Sequence, residues 1–159
     1  MNYAVEMKHI SKRFGNVIAN DQINFAVEKG EIHCLLGENG AGKSTLMKIL
    51  FGLYSRDQGE IFINGEKVDL KGPKDAIKHE IGMIHQHFML AKRLSVAENI
   101  IAGLEPVKNF IVLNIEEARN RLKNLSREYG LNINPNAVVE EISVGEQQRV
   151  EILKVLYRK

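Results

Sequence analysis

The 159 residues amount to about one domain, and 22 Lys and Arg against 20 Asp and Glu leave a formal charge of +2. That balance excludes an acidic tail and a strongly basic nucleic-acid binder, and 44% hydrophobic with 26% charged residues excludes a disordered chain. Cys34 is the sole cysteine, so neither an intramolecular disulfide nor a Cys-rich zinc site can form. No apolar run approaches the roughly 18 residues that span a bilayer, and residues 1–6 lack the basic start and apolar stretch of a signal peptide. The expectation is a soluble chain in a reducing, cytoplasmic setting.

Residues 3–9 alternate apolar and polar, with Tyr3, Val5 and Met7 on one face, and Ile23, Phe25 and Val27 repeat the pattern before Lys29-Gly30. Residues 60–63 and 67–70 flank Asn64-Gly65, a pair that tolerates positive φ and predicts a hairpin. Residues 32–36 and 81–85 are nearly continuous apolar runs, which predicts strands covered on both faces, with Cys34 as a small core residue. A helix over residues 43–51, ended by Gly52, completes a strand, turn, helix and strand order of α/β type. From Ser95 the pattern turns helical. Capping boxes pair Ser95 with Glu98, Asn114 with Glu117 and Ser143 with Glu146. The first precedes a helix over 99–103. The second opens a helix with Ile115, Ala118, Leu122, Leu125 and Tyr129 on one face, and the third one with Val150, Leu153, Leu156 and Tyr157. Arg119, Arg121, Lys123 and Arg127 read as a solvated face.

Gly37, Glu38, Asn39, Gly40, Ala41, Gly42, Lys43 and Ser44 match the P-loop pattern at every fixed position. Phosphate oxygens carry dense negative charge, and a loop surrounds them only where its amides turn inward; Gly40 and Gly42 permit that path. Lys43 then reaches the β- and γ-phosphates, Ser44 offers its hydroxyl to Mg²⁺, Thr45 donates to the α-phosphate, and the helix start adds partial positive charge. The alternative, a Gly-rich turn that happens to hold a lysine, ignores the strand and helix on either side.

Gln86 follows the second apolar run, where its amide would ligand Mg²⁺ and orient water, or simply end a strand. Flanking it, His85 and His87 lack a third ligand at suitable spacing. Ser143 caps a helix whose first turn holds Gly145, which would let an anion approach closely, although taken alone the pattern reads as an ordinary capped helix start. Taken together, these segments resemble the ATP-binding subunits of ABC transporters: GENGAGKST, residues 37–45, is similar to the Walker A motif, Gln86 to the Q-loop glutamine, and SVGEQQ, residues 143–148, to the signature motif. Phe14 sits where that family places a ring stacked on adenine. Val144-Gly145-Glu146 replaces the general Gly-Gly-Gln and, with residues 147–154 after it, resembles importers of simple sugars and nucleosides; residues 83–90 and 94–100 resemble the nucleoside branch most closely.

The resemblance implies an α/β P-loop NTPase (RecA-like) core with an N-terminal antiparallel β subdomain and a helical subdomain. In it, residues 1–30 and 59–72 form the antiparallel part, 31–58 and 73–87 the P-loop core, and 88–159 the helical part ending in the signature helix. ATP and Mg²⁺ are the implied cofactors, with Gly37, Glu38, Asn39, Gly40, Ala41, Gly42, Lys43, Ser44, Thr45 and Phe14 on the nucleotide, Ser44 and Gln86 on the metal, and Lys43 and Gln86 catalytic. Ser143 and Gly145 would close on a nucleotide held by a second ATP-binding domain, head to tail. The other implied partners are transmembrane permease subunits and, indirectly, an extracytoplasmic solute-binding protein, which places the chain at the cytoplasmic face of the membrane; no nucleic acid is expected. The family's next strand, with its Asp and Glu, has no counterpart before Lys159. The expectation is therefore an N-terminal part of the first ATP-binding domain, with an exposed apolar sheet edge, weak ATP binding and little turnover alone. Phe88, Met89 and Leu90 fall where the family docks membrane subunits, or pack internally. Rival readings are a soluble ABC-type ATPase acting on nucleic acid or the ribosome, and a small-molecule or nucleotide kinase.

Overall fold

The computed structural model describes residues 2–86, 88–102, 107–108, 112–113 and 115–158. The chain divides into two compact units, Met1–Gly82 and Met83–Lys159, each with its own apolar core.

In the first unit, β1 (Tyr3–Phe14) and β2 (Val17–Glu28) form a long hairpin, closed where Gly15 takes a φ of 56°. Both strands run well past the predicted segments 3–9 and 23–27. β3 (Gln58–Ile63) and β4 (Glu66–Val68) complete an antiparallel sheet in the order β2-β1-β3-β4. Asn64 (φ 51°) and Gly65 (φ 85°) make the predicted left-handed turn between β3 and β4. Val5 faces Val27 and Met7 faces Phe25, as the alternation requires. Beyond Met7 the next fully buried residue of β1 is Ile10, three positions on, because the ladder shifts register there. His9 takes a φ of 51° in that bulge, and its N–H donates to Asn24 Oδ1 at 2.9 Å. α1 (Lys43–Leu50) lays Leu46 and Ile49 into the cluster of Met7, Ile10, Ile61 and Ile63. Each such burial contributes about 1.5–3 kcal/mol. The short α2 (Pro73–Lys78), which periodicity alone does not reveal, has Pro73 at its first position and buries Ala76.

The two apolar runs depart from expectation. Neither 32–36 nor 81–85 is a strand, Ile32 and Leu36 are 99% and 84% exposed, and Ile84 is exposed as well. Cys34 is exposed rather than a core residue. A parallel-sheet strand needs ladder partners on either side and cover on both faces. Among the described residues nothing pairs with either run.

The second unit is mainly helical. α3 (Val96–Ile101) starts directly after Ser95, three residues before the predicted segment 99–103, whose last residue lies outside the described ones. Asn99, buried on α3, accepts from Ala91 N–H at 2.7 Å and donates to the carbonyls of Ala91 and Ser95. β5 (Val107–Lys108) pairs with β6 (Val112–Leu113). α4 (Ile115–Glu128) buries Ala118 and Leu122 as predicted, while Tyr129 falls beyond its end and is exposed. Asn114, the expected cap, lies outside the described residues. On α4, Arg121 does more than face solvent: its guanidinium covers the Tyr157 ring at 4.4 Å. α5 (Val144–Tyr157) sends Val150, Leu153 and Tyr157 into the core shared with α3 and α4. No helix among the described residues is long and apolar enough to cross a membrane.

The capping boxes of α3 and α5 are both complete. Ser95 and Ser143 each accept from the backbone N–H three residues on, at 3.3 Å, while Glu98 and Glu146 accept from the serine N–H and hydroxyl. Those hydrogen bonds from the serine side chains, then from their N–H groups, hold both carboxyls below the usual value of 4.5. The stabilisation from the ionised caps is therefore complete above pH 4.5 and lost as pH falls through the lowered folded values. Replacing both, Glu98→Gln with Glu146→Gln, keeps the boxes and removes the titration. Unfolding midpoints measured against pH should then fall less steeply on the acid side than in the parent chain.

A Cβ at Gly59 (φ 97°) would lie 2.5 Å from the carbonyl oxygens of both Lys8 and His9, the bulged part of β1. Gly59→Ala is expected to lower stability in denaturant titration by about 1–3 kcal/mol, because neither backbone oxygen can yield without opening the ladder.

Candidate phosphate-binding site

The glycine loop joins residues 32–36 to α1, and its shape depends on β2. A Cβ at Gly42 (φ 83°) would lie 2.1 Å from Ala19 O and 2.8 Å from Asn20 Nδ2. Only glycine fits there, on grounds of both φ and space. Asn20, buried, donates from Nδ2 to Gly42 O at 3.3 Å, and the same carbonyl accepts the first turn's bond from Leu46 N–H at 2.9 Å. Asn20 Oδ1 is buried and has no hydrogen-bond partner among the described residues. Sequence reading missed Asn20, since an isolated asparagine on a strand carries no signal.

Gly42 is the N-cap of α1, and no side chain caps this helix. Among the described residues the backbone N–H groups of Gly42, Lys43, Ser44 and Thr45 have no hydrogen-bond partner. The Lys43 ammonium folds back over the loop and donates to Gly37 O at 2.6 Å and Glu38 O at 2.7 Å. Ala41 N–H closes the same turn on Glu38 O at 3.2 Å. Glu38 thus acts through its backbone; its side chain, like those of Asn39, Ala41 and Ser44, is exposed. Gly40 takes a φ of 88°, and a Cβ there would meet nothing within 4 Å, so its demand is conformational.

An unpartnered run of amides at a helix start, a lysine poised over it and two hydroxyls form a donor set without an acidic acceptor side chain among them. That chemistry fits a polyphosphate. For the metal the loop offers the Ser44 hydroxyl. No cluster of three His, Cys, Asp or Glu residues able to hold an ion is present among the described residues. A Mg²⁺ at Ser44 would draw its remaining oxygens from phosphate and water, as this ion commonly does.

Phe14, the expected base-stacking ring, stands at the tip of the β1–β2 hairpin opposite Val17 and is 43% exposed. Asn20 lies three residues further along β2, so the ring stands roughly 10 Å from the loop's closest approach, within the span of a nucleoside triphosphate. Gln86 belongs to the second unit and is exposed; His87 lies outside the described residues. Ser143 and Gly145 begin α5 in that unit. Gly145 needs no positive φ, and a Cβ there would meet only Arg149 Nη1, at 4.0 Å. In the same unit Met89 N–H donates to the buried Glu151 at 2.7 Å, and Lys154 Nζ donates to Met89 O at 3.3 Å, which ties the exposed Phe88-Met89 segment to α5. Leu90 instead packs against the core.

Comparison with known proteins gives one consistent result. The ABC transporter family model matches residues 20–159. The chain is 55% identical over 158 residues to the guanosine import ATP-binding protein NupO of Bacillus subtilis, covering 99% of this chain and 31% of that protein. It is 51% identical over 154 residues to the nucleoside import ATP-binding protein NupA of Lactococcus lactis, covering 97% and 30%. Against the ribose import ATP-binding protein RbsA of Caldanaerobacter subterraneus identity is 45% over 156 residues, covering 98% and 32%. The 159 residues thus span about a third of these relatives' length. A solved nucleotide-free ATP-binding cassette from an ABC transporter superposes with a TM-score of 0.83 at 25% identity, over 98% of this chain and 65% of that one. The fold accordingly corresponds to about two thirds of that ABC cassette. By sequence along nearly its whole length and by fold, this chain belongs to the ABC transporter family.

Proposed function

We propose that this chain binds ATP with Mg²⁺ at the glycine loop, and that in the whole protein it couples ATP hydrolysis to import of nucleosides or related simple sugars. The observation that carries the reading is the start of α1: four amides without partners among the described residues, beside an ammonium that rests on the loop's own carbonyls. On binding, Lys43 exchanges Gly37 O and Glu38 O for phosphate oxygens, a charge-assisted contact stronger than the neutral ones it leaves. When bound, Mg²⁺ supplies charge neutralisation on the phosphates. Phe14 takes the base, and Gln86 orients water. The printed activities of the relatives, guanosine, nucleoside and ribose import, support the transport class, and the higher identities favour a nucleoside.

Closure on a second ATP-binding domain, head to tail, assigns Ser143 and Gly145 to the nucleotide of that domain. The chain's own fold has no need of glycine at 145, which supports a role in contact with something outside it. The Phe88-Met89 segment, exposed and tied to α5, suits contact with transmembrane permease subunits at the cytoplasmic face of the membrane, with a solute-binding protein engaged through them.

Calorimetric titration of Mg-ATP should show binding to the parent chain and a loss of more than about tenfold in Lys43→Ala. Gly145→Ala should leave the thermal midpoint of the chain unchanged or slightly raised, since alanine favours a helix by about 0.5–1 kcal/mol over glycine. The same change should depress ATPase activity of the assembled whole protein, read as phosphate release. Co-purification with a permease pair supports the importer; ribosomes or DNA in its place would overturn it.

A further inference from the structure

Phe14 does not stand alone. Its ring meets Tyr54 edge to face, with centroids 5.2 Å apart and planes at 71°. The Lys12 ammonium lies 5.4 Å from the Phe14 centroid and is held by Asp57 Oδ1 at 2.8 Å, while Asp57 Oδ2 accepts from Arg13 N–H at 2.7 Å. On the other side Lys48, from the last turn of α1, lies 5.3 Å from the Tyr54 centroid. Tyr54 itself follows α1 closely, its N–H donating to Lys48 O at 3.3 Å. Residues of the hairpin tip and of the P-loop helix thus meet at a single tyrosine.

The geometry points to Tyr54 as a positioning residue of the nucleotide site, one that fixes the Phe14 ring at a set place relative to the start of α1. This rests on the ATP reading above. A nucleotide held at both ends gains affinity only when base platform and phosphate loop keep their separation, because a ring free to rotate must be ordered on binding. Phe14 sits on a hairpin tip whose turn is exposed, and the β1–β2 ladder constrains its backbone but not its χ angles. Edge-to-face packing against Tyr54 and the ammonium of Lys12 restrict those angles. Tyr54 is anchored in turn to the helix whose N-terminus holds the phosphates. The rings remain 43% and 36% exposed. That fits a surface that is organised and yet open to a ligand.

The test compares Mg-ATP with Mg-tripolyphosphate, which carries the phosphates without a base, on the full 159-residue chain. Tyr54→Ala should weaken ATP about threefold to tenfold, the worth of one aromatic pair, and leave tripolyphosphate at the parent value. Tyr54→Phe, which keeps the ring edge, should bind both as the parent does. Phe14→Leu should reproduce the loss for ATP, and the double variant should add little to either single one, since both act through one contact. Equal losses for the two ligands would make Tyr54 a structural residue and overturn the proposal. Unchanged ATP binding in Tyr54→Ala, additive losses in the double variant, or a Tyr54→Phe as weak as Tyr54→Ala would overturn it also. Should Tyr54→Ala unfold, Tyr54→Leu keeps the volume, removes the aromatic edge and is read the same way. A parent chain that binds tripolyphosphate but not ATP preferentially refutes the base platform and Tyr54 together, and one that binds neither refutes the nucleotide reading itself.

Discussion

At Gly42 the backbone of β2 comes so close to the start of α1 that a single methyl group would overlap the Ala19 carbonyl. The start of α1 depends on that approach. It places the N-cap in a left-handed conformation, leaves the helix without a side-chain cap, and so keeps the first-turn amides available. α3 and α5 take the opposite solution and satisfy their starts internally with Ser and Glu, while the short α2 begins at Gly72 with Pro73 in its first turn and no side-chain cap.

The same approach explains why the sheet and the loop cannot vary independently. Leu46 and Ile49 seal α1 onto the face carrying Met7, Ile10 and Ile61, and Asn20 holds the N-cap carbonyl from the strand side. Packing fixes the axis of α1, and the close contact fixes where along that axis the helix begins. The β1–β2 hairpin then projects beyond the contact and carries Phe14 with it. The Phe14 ring and the Asn20 contact with the glycine loop therefore lie on one strand pair.

The capped start of α5 has a different electrostatic character. Glu146 places a carboxylate on Ser143 N–H and Oγ, so the serine that the family resemblance assigns to a partner's nucleotide already holds a negative group. Contact with a phosphate there requires the serine hydroxyl to turn away from Glu146, or the phosphate to approach through Gly145 and the amides of the first turn. Around Glu151, by contrast, the polar contacts are internal: its carboxylate and Lys154 grip the backbone of Met89.

Much of this was legible from residue order. Motif spacing located the glycine loop before α1, Asn64-Gly65 located the β3–β4 hairpin, and the serine and glutamate pairs located the starts of α3 and α5, because each is a local arrangement whose energy depends on residues a few positions apart. The two apolar runs show where that reasoning stops. Residues 32–36 have the composition of a buried parallel strand, yet composition states only what cover the segment requires, and cover comes from neighbours distant in sequence; with none paired to it here, Ile32 and Leu36 stand exposed. The extension of β1 and β2 to the hairpin tip, the bulge at His9, the part played by Asn20 and the meeting of Tyr54 with Phe14 were likewise decided by tertiary structure alone. The last three join residues that are far apart in the chain, and no short-range periodicity records a contact of that kind.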